Sequence, residues 1–187
     1  MKNLIKKTFL AVVLLFSFFL TKAQNKNDTI VNLYEKKNEV ILDLIGPSFG
    51  GGINASYERH LNKKSSLGIT FFYIYDNTKE TDMNYSISPY YRMYFGKKYA
   101  YGFFVEGFGM VMSIDGKKIY DTEEKITFTE NPDVINLSIG VGLGWKVVTK
   151  SGFTYGANLG WGKMLFNANK TDHTQVAKFS LNVGYRF

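Results

Sequence analysis

The chain contains no cysteine. A disulfide framework, an iron–sulfur cluster and a thiol nucleophile are therefore excluded. So is lipid attachment through a cysteine at an export cleavage point. Proline is scarce, with Pro47, Pro89 and Pro132, and the two histidines are His60 and His173. Long apolar runs are also missing: beyond residue 23 nothing approaches the roughly 18 consecutive apolar residues that a helical span requires. Yet 45% of the residues are hydrophobic while the mean hydropathy is slightly negative. Much apolar surface without apolar runs is what alternation produces.

The N-terminus has a different grammar. Lys2, Lys6 and Lys7 precede Thr8 to Leu20, a stretch without charge, and Thr21-Lys22-Ala23 then offers small residues three before and one before a cut after Ala23. This is the layout of a secretory signal peptide, and the apolar stretch is too short for a spanning helix. Residues 1–23 are expected to be removed, with 24–38 left as a periplasmic tail and 39–187 as the folded unit. Cleavage lowers the formal net charge from +7 to +3, because four lysines leave with no acid. The sequence pI near 9.3 is thus inflated by the signal, and nucleic acid gains no support as a partner.

The C-terminal segment is the clearest strand. Ala177, Phe179, Leu181, Val183, Tyr185 and Phe187 share one parity, and Lys178, Ser180, Asn182, Gly184 and Arg186 share the other. A period of two puts these sets on opposite faces. Seven further segments alternate in the same way, at about 39–46, 52–60, 66–76, 84–95, 100–113, 134–148 and 153–164. Their apolar faces are rich in aromatics, and their polar faces in Gly, Ser and Asn. Most are longer than the five or six residues usual in soluble sheets, and near the length of a tilted membrane strand. The connections at 60–65, 96–98 and 149–152 are short, while 77–83, 114–133 and 165–175 are longer and polar. The 46–51 connection is short and departs from that pattern. Short turns at one end and longer loops at the other characterise outer-membrane barrels. Two features sit awkwardly. Pro89, inside the fourth segment, cannot donate to a ladder, so a bulge or an unpaired acceptor is predicted there. Gly107 and Gly109 interrupt the apolar face of the fifth.

With eight alternating segments, an export signal and an aromatic end reading Gly184-Tyr185-Arg186-Phe187, the chain resembles the small OmpA- and OmpX-type outer-membrane barrels. The resemblance covers about 39–187 at the level of pattern. It implies an all-β, eight-stranded, antiparallel up-and-down transmembrane barrel in the outer membrane of a Gram-negative bacterium, with membrane lipid as its surroundings. It also implies recognition of Tyr185 and Phe187 by the outer-membrane assembly machinery during biogenesis. Many such proteins have no assigned activity, and the expected role is structural or surface-interacting, porin-like in shape but without a substrate-sized pore.

An eight-stranded barrel is narrow, and side chains fill it. The inward parity carries Glu39, Asp43, Glu58 and Glu106 against Arg92, Lys146, Lys178 and Arg186. Buried charge is costly unless paired, so a lumen ion-pair network is expected, with a proton or ion path as the alternative. Gly140, Gly142 and Gly144 do not open a helix and so do not form a dinucleotide fingerprint. They lie on the lumen parity, as do Gly156, Gly160 and Gly162, and leave room for Tyr90, Arg92, Tyr94, Phe104 and Phe108. Outward Tyr and Trp residues would form aromatic girdles, and Arg59 would snorkel to an interface.

No catalytic, cofactor or metal site is predicted. Some barrels of this size modify or bind outer-leaflet lipid, and that is the alternative function. Hydrolysis would need His with Ser and a carboxylate. His60 falls at a short turn on the wrong side, and His173, in a solvated loop, has no serine at strand spacing. A soluble secreted β-domain is a third possibility. The 114–133 loop holds six acids and three lysines without calcium-ligand spacing. It is the predicted contact for any extracellular partner, with Ile119, Tyr120, Ile126 and Phe128 extending a hairpin. Intact-mass analysis of the exported protein tests the first of these readings: the mature chain should begin at Gln24, and a chain retaining residues 1–23 would refute cleavage.

Overall fold

The computed structural model describes residues 36–45, 51–75, 82–120 and 128–187. The expected signal peptide, most of the tail, the 46–50 connection with Pro47, and the tip of the long loop at 121–127 lie outside these residues. The strands are β1 (Asn38–Asp43), β2 (Gly52–Asn62), β3 (Ser65–Ile74), β4 (Met83–Tyr94), β5 (Gly102–Ile114), β6 (Lys118–Tyr120), β7 (Phe128–Glu130), β8 (Val134–Val148), β9 (Phe153–Met164) and β10 (Gln175–Arg186). Eight of them close in the order β1-β10-β9-β8-β5-β4-β3-β2, while β6 and β7 form a separate hairpin between β5 and β8. Every neighbouring pair is antiparallel. This is the eight-stranded barrel expected from the alternation, and closure leaves its sheet without an edge.

The parity of the sequence fixes the faces. Val141, Trp161 and Phe179 point outward and are 71%, 61% and 58% exposed. Their neighbours of opposite parity are small or polar and face the lumen, where Ser138, Asn158 and Ser180 are buried. The glycines of β8 and β9 face each other across the ladder, Gly140 opposite Gly162 and Gly142 opposite Gly160. Their role is steric. A Cβ on Gly140 would strike the Phe108 ring and the backbone of β9, and one on Gly144 would strike the Phe104 ring. Gly68 makes the same room for Tyr90. Bulky rings from β4 and β5 thus occupy volume that β3, β8 and β9 leave vacant.

At Pro89 the structure differs from expectation. Phe95 N donates to Phe103 O at 2.8 Å, so odd-numbered residues of β4 direct their N–H toward β5 and Pro89 lacks the one due to Gly109. The register is identical on either side, with Ile87 opposite Val111 and Tyr90 opposite Phe108. No bulge forms at Pro89. The Ser88 hydroxyl donates to Gly109 O at 2.8 Å instead, so the acceptor is not orphaned. Pro89 and Gly109 face outward, where the small Gly107 and Gly109 leave a shallow depression beside Tyr91 and Trp161. β5 runs unbroken through both glycines.

The two ends are built differently. At the short-turn end, residues between β4 and β5 fold inward, leaving Tyr99 9% and Ala100 0% exposed. Ala100 adopts a left-handed φ of 42° and Gly102 one of 86°, and this reversal lets the turn enter the mouth. At the other end Met110, Met112, Ile114, Met164 and Val176 pack with Tyr90 and Phe108 inside the barrel. Above them the connections are tied together: Lys117 N donates to Lys170 O at 2.9 Å, and Asn84 Nδ2 to Asp133 Oδ2 at 2.9 Å. The hairpin expected in the 114–133 loop is present as the β6–β7 ladder.

The Ser88 arrangement predicts a coupled pair. Ser88→Ala should cost about 1–3 kcal/mol by orphaning Gly109 O. In a Pro89→Ala background, where a main-chain N–H returns, the same change should cost much less. Urea unfolding read by the mobility difference between folded and unfolded protein measures both. Equal costs in the two backgrounds would refute the assignment.

Candidate functional site

The lumen holds a chain of alternating charges. Arg186 Nη2 lies 3.1 Å from Glu39 Oε2. Lys146 Nζ bridges Glu39 Oε1 and Glu58 Oε1, 3.0 Å from each. Glu58 Oε2 accepts from Arg92 Nη1 at 2.6 Å. Arg92 Nε donates to Glu106 Oε2 at 2.7 Å, and Glu106 Oε1 accepts from Lys178 Nζ at 2.8 Å. Each carboxylate therefore sits between two cations, and the series begins and ends on a base. Six strands contribute: β1, β2, β4, β5, β8 and β10. No sequence-local pattern could have paired Glu39 with Arg186; the closing ladder does, by placing them opposite each other across β1 and β10.

Neutral groups complete the hydrogen bonding. Tyr94 OH donates to Glu58 Oε1 at 2.7 Å and Tyr90 OH to Glu58 Oε2 at 3.1 Å. Thr154 Oγ1 donates to Glu39 Oε1 at 2.8 Å. The Arg92 guanidinium lies between two rings, 4.2 Å from the Tyr90 centroid and 4.6 Å from that of Phe104. Arg186 is fully buried, and its Nη1 and Nη2 donate to the carbonyls of Tyr99 and Ala100 at 3.1 Å each. These bonds hold the inward-folded turn against the ion-pair chain, so the mouth at that end is closed by backbone as well as charge.

Seven of the eight lumen residues singled out by parity thus come together. Asp43 does not join them. It lies toward the long-loop end, where its carboxylate accepts from Ile45 N at 2.9 Å, Leu181 N at 3.3 Å and Asn54 Nδ2 at 3.2 Å. The balance of four acids and four bases expected from the sequence is therefore three acids against four bases within the chain.

His60 belongs to this cluster, although its place near a turn pointed elsewhere. Its ring is buried, with Nε2 3.0 Å from Glu39 Oε2 and Nδ1 3.4 Å from Glu58 Oε1. Tyr99 stacks edge-on against it at 6.0 Å. The signal was available, since His60 shares the parity of Glu58 and the N–H of His60 still bonds to Lys37 O at 2.7 Å as part of the ladder. Ligand atoms of Glu39, Glu58 and His60 lie within 4.8 Å of one another, close enough to share a metal ion. The Lys146 ammonium already bridges both carboxylates, so an internal cation stands where a metal would.

Beyond Lys178 the lumen opens into a cavity of about 220 Å³ with a mixed lining, Asn54, Ser56 and Thr70 alongside Ile41, Phe72 and Met83. Ser56 and Thr70 share a hydrogen bond at 2.8 Å, and Ser180 bonds to Asn158. The ion-pair chain forms the floor of this chamber. His173 lies in the last connection, where Nε2 is 2.9 Å from Asp82 Oδ2 and both side chains are partly exposed. Tyr185 and Phe187 face outward; Tyr185 packs edge-on against Phe153 at 5.3 Å, and Phe187 exchanges main-chain bonds with Asn38.

No protein-family profile matches the sequence, and no curated protein matches it. Among solved structures, the N-terminal β-barrel domain of Pseudomonas aeruginosa OprF is similar, with a TM-score of 0.50 at 16% identity, covering 81% of this chain and 98% of that domain. The Yersinia pestis outer membrane protein Ail, solved in a phospholipid bilayer nanodisc, matches at a TM-score of 0.41 and 16% identity, over 81% of this chain and 99% of that one. The fold is that of the small outer-membrane β-barrels.

Removing one member of the ion-pair chain should be more damaging than removing the charges together. Glu58→Gln leaves Lys146 and Arg92 short of a counter-charge and should cost about 3–5 kcal/mol in urea unfolding. Glu58→Leu combined with Arg92→Met and Lys146→Met should recover part of that loss. A single Glu58→Gln change that leaves the midpoint unmoved would refute the coupling.

Proposed function

We propose that the protein resides in the outer membrane of a Gram-negative cell as a closed, non-conducting barrel with a structural or surface-interaction role in the envelope. The carrying observation is the contrast between its two faces. Outward side chains such as Val141, Leu159 and Phe179 form an apolar band, and hydrocarbon is the solvent that suits it. Inside, the ion-pair chain and the inward turn block the bore. A bilayer also accounts for the closed ladder, because every backbone group at membrane depth must be bonded internally.

Orientation follows from loop length, with short turns in the periplasm and long loops outside. The β6–β7 hairpin and the loop around it then stand above the outer surface as the contact for an extracellular partner. Tyr185 and Phe187, outward at the end of β10, supply the feature by which the assembly machinery recognises the chain. The alternative of an outer-leaflet lipid-modifying barrel draws less support. Asp82 supplies the carboxylate that a hydrolytic His173 would need, but none of the described hydrogen bonds links the ring to a nucleophilic hydroxyl.

Reconstitution into a planar bilayer tests the closed state. The folded protein should give no ohmic conductance steps above the protein-free baseline. Stable steps scaling with the amount of protein would overturn the reading.

A further inference from the structure

The short-turn end of the barrel carries a ring of lysines that the ion-pair chain does not use. Lys36 and Lys37 precede β1, Lys63 and Lys64 form the β2–β3 turn, Lys97 and Lys98 lie between β4 and β5, and Lys150 lies between β8 and β9. All but Lys36 are exposed. Among the described residues no acidic side chain stands on this rim; the nearest, Glu39 and Glu58, are fully buried in the lumen. Asp82, Asp115, Asp133 and Asp172, which lie outside the lumen, all belong to the opposite end. Charge of one sign thus marks the short-turn rim, whereas the opposite end mixes these acids with Lys117, Lys163 and Lys170.

The ring is held in place. Lys37 O accepts from His60 N at 2.7 Å, Lys63 O from Ala100 N at 2.8 Å, and Lys64 O from Tyr94 N at 2.7 Å. The turn that closes the lumen thus also fixes neighbouring lysines on the rim. Outward aromatics sit directly beside the ring, with Lys98 Nζ 5.2 Å from the Tyr101 centroid and Lys36 Nζ 5.2 Å from that of Tyr185. Aromatic side chains of this kind settle at the headgroup level. Ammonium groups on flexible stems next to them reach the phosphates of the same layer. Seven like charges on one rim repel one another unless counter-charge is supplied, and among the described residues no acidic side chain supplies it there.

We propose that this ring binds the anionic phospholipid headgroups of the leaflet at the short-turn end. The inference rests on the membrane reading given above, and its partner is defined by a phosphodiester carrying net negative charge. Zwitterionic lipid offers the phosphate with a compensating ammonium and should compete poorly.

The test uses the mature chain in phosphatidylcholine vesicles containing phosphatidylglycerol as the minor lipid, with a trace of either lipid spin-labelled. Motionally restricted label at the protein boundary is read by electron paramagnetic resonance. Phosphatidylglycerol should be enriched about threefold or more over phosphatidylcholine, with the excess screened away in about 1 M salt. Lys63→Glu, Lys64→Glu, Lys97→Glu and Lys98→Glu together should abolish the preference while the gel-mobility difference shows the barrel folded. Should that variant not fold, Lys97→Gln with Lys98→Gln should lower the preference in part. Equal restriction of both lipids by the folded wild-type chain would overturn the proposal. So would a preference that survives the substitutions, or binding of soluble polyglutamate without lipid selectivity. Absence of any restricted lipid would overturn the membrane reading itself.

Discussion

Closure of the ladder between β1 and β10 is the constraint on which the rest of the molecule depends. Eight strands make a tube whose interior must be filled by side chains. Inward positions therefore cannot be chosen one at a time. Large rings from β4 and β5 require glycine on β3, β8 and β9, and the acids brought in by β1, β2 and β5 require bases from β4, β8 and β10. The alternating order of Arg186, Glu39, Lys146, Glu58, Arg92, Glu106 and Lys178 meets that requirement, since each carboxylate touches two cations and each interior cation two carboxylates. A buried pair adds little to stability by itself, but breaking one is costly. The chain thus works mainly as a lock on register: a strand slipped by one residue would turn its charges to the apolar outside.

Much of this was legible in the sequence because a strand's period is two. The alternation of Phe179 with Lys178 and Ser180, or of Val141 with Gly140 and Gly142, gives the faces without knowledge of which strand pairs with which. Lumen glycines and lumen charges follow from the same parity. What parity does not give is position along the barrel axis. Asp43 shares a face with Glu39, yet four residues of rise set it opposite Asn182 and beside Asn54, away from the bases of the chain. Nearness to a turn points His60 away from the lumen. Its parity with Glu58, a stronger signal, places it in the cluster.

The remaining departures arise from tertiary choices with no local signature. Gly96-Lys97-Lys98 reads as an ordinary short turn, but Arg186 draws the carbonyls of Tyr99 and Ala100 just beyond it into the mouth. At Pro89 the sequence implies a missing donor, for which it offers a bulge or an unpaired acceptor. Only the register shows that Ser88 meets it.

The two faces also explain why the fold says much about place and little about partner. The outward band answers to a solvent, the lumen answers to itself, and the features free to meet another molecule lie at the two ends. Because the chain has no cysteine, single cysteines at outward positions can report the solvent directly. Val141→Cys and Phe179→Cys, each carrying an environment-sensitive fluorophore, should be quenched by brominated lipid chains in vesicles and untouched by aqueous iodide. Quenching by iodide with no response to brominated lipid would contradict the account.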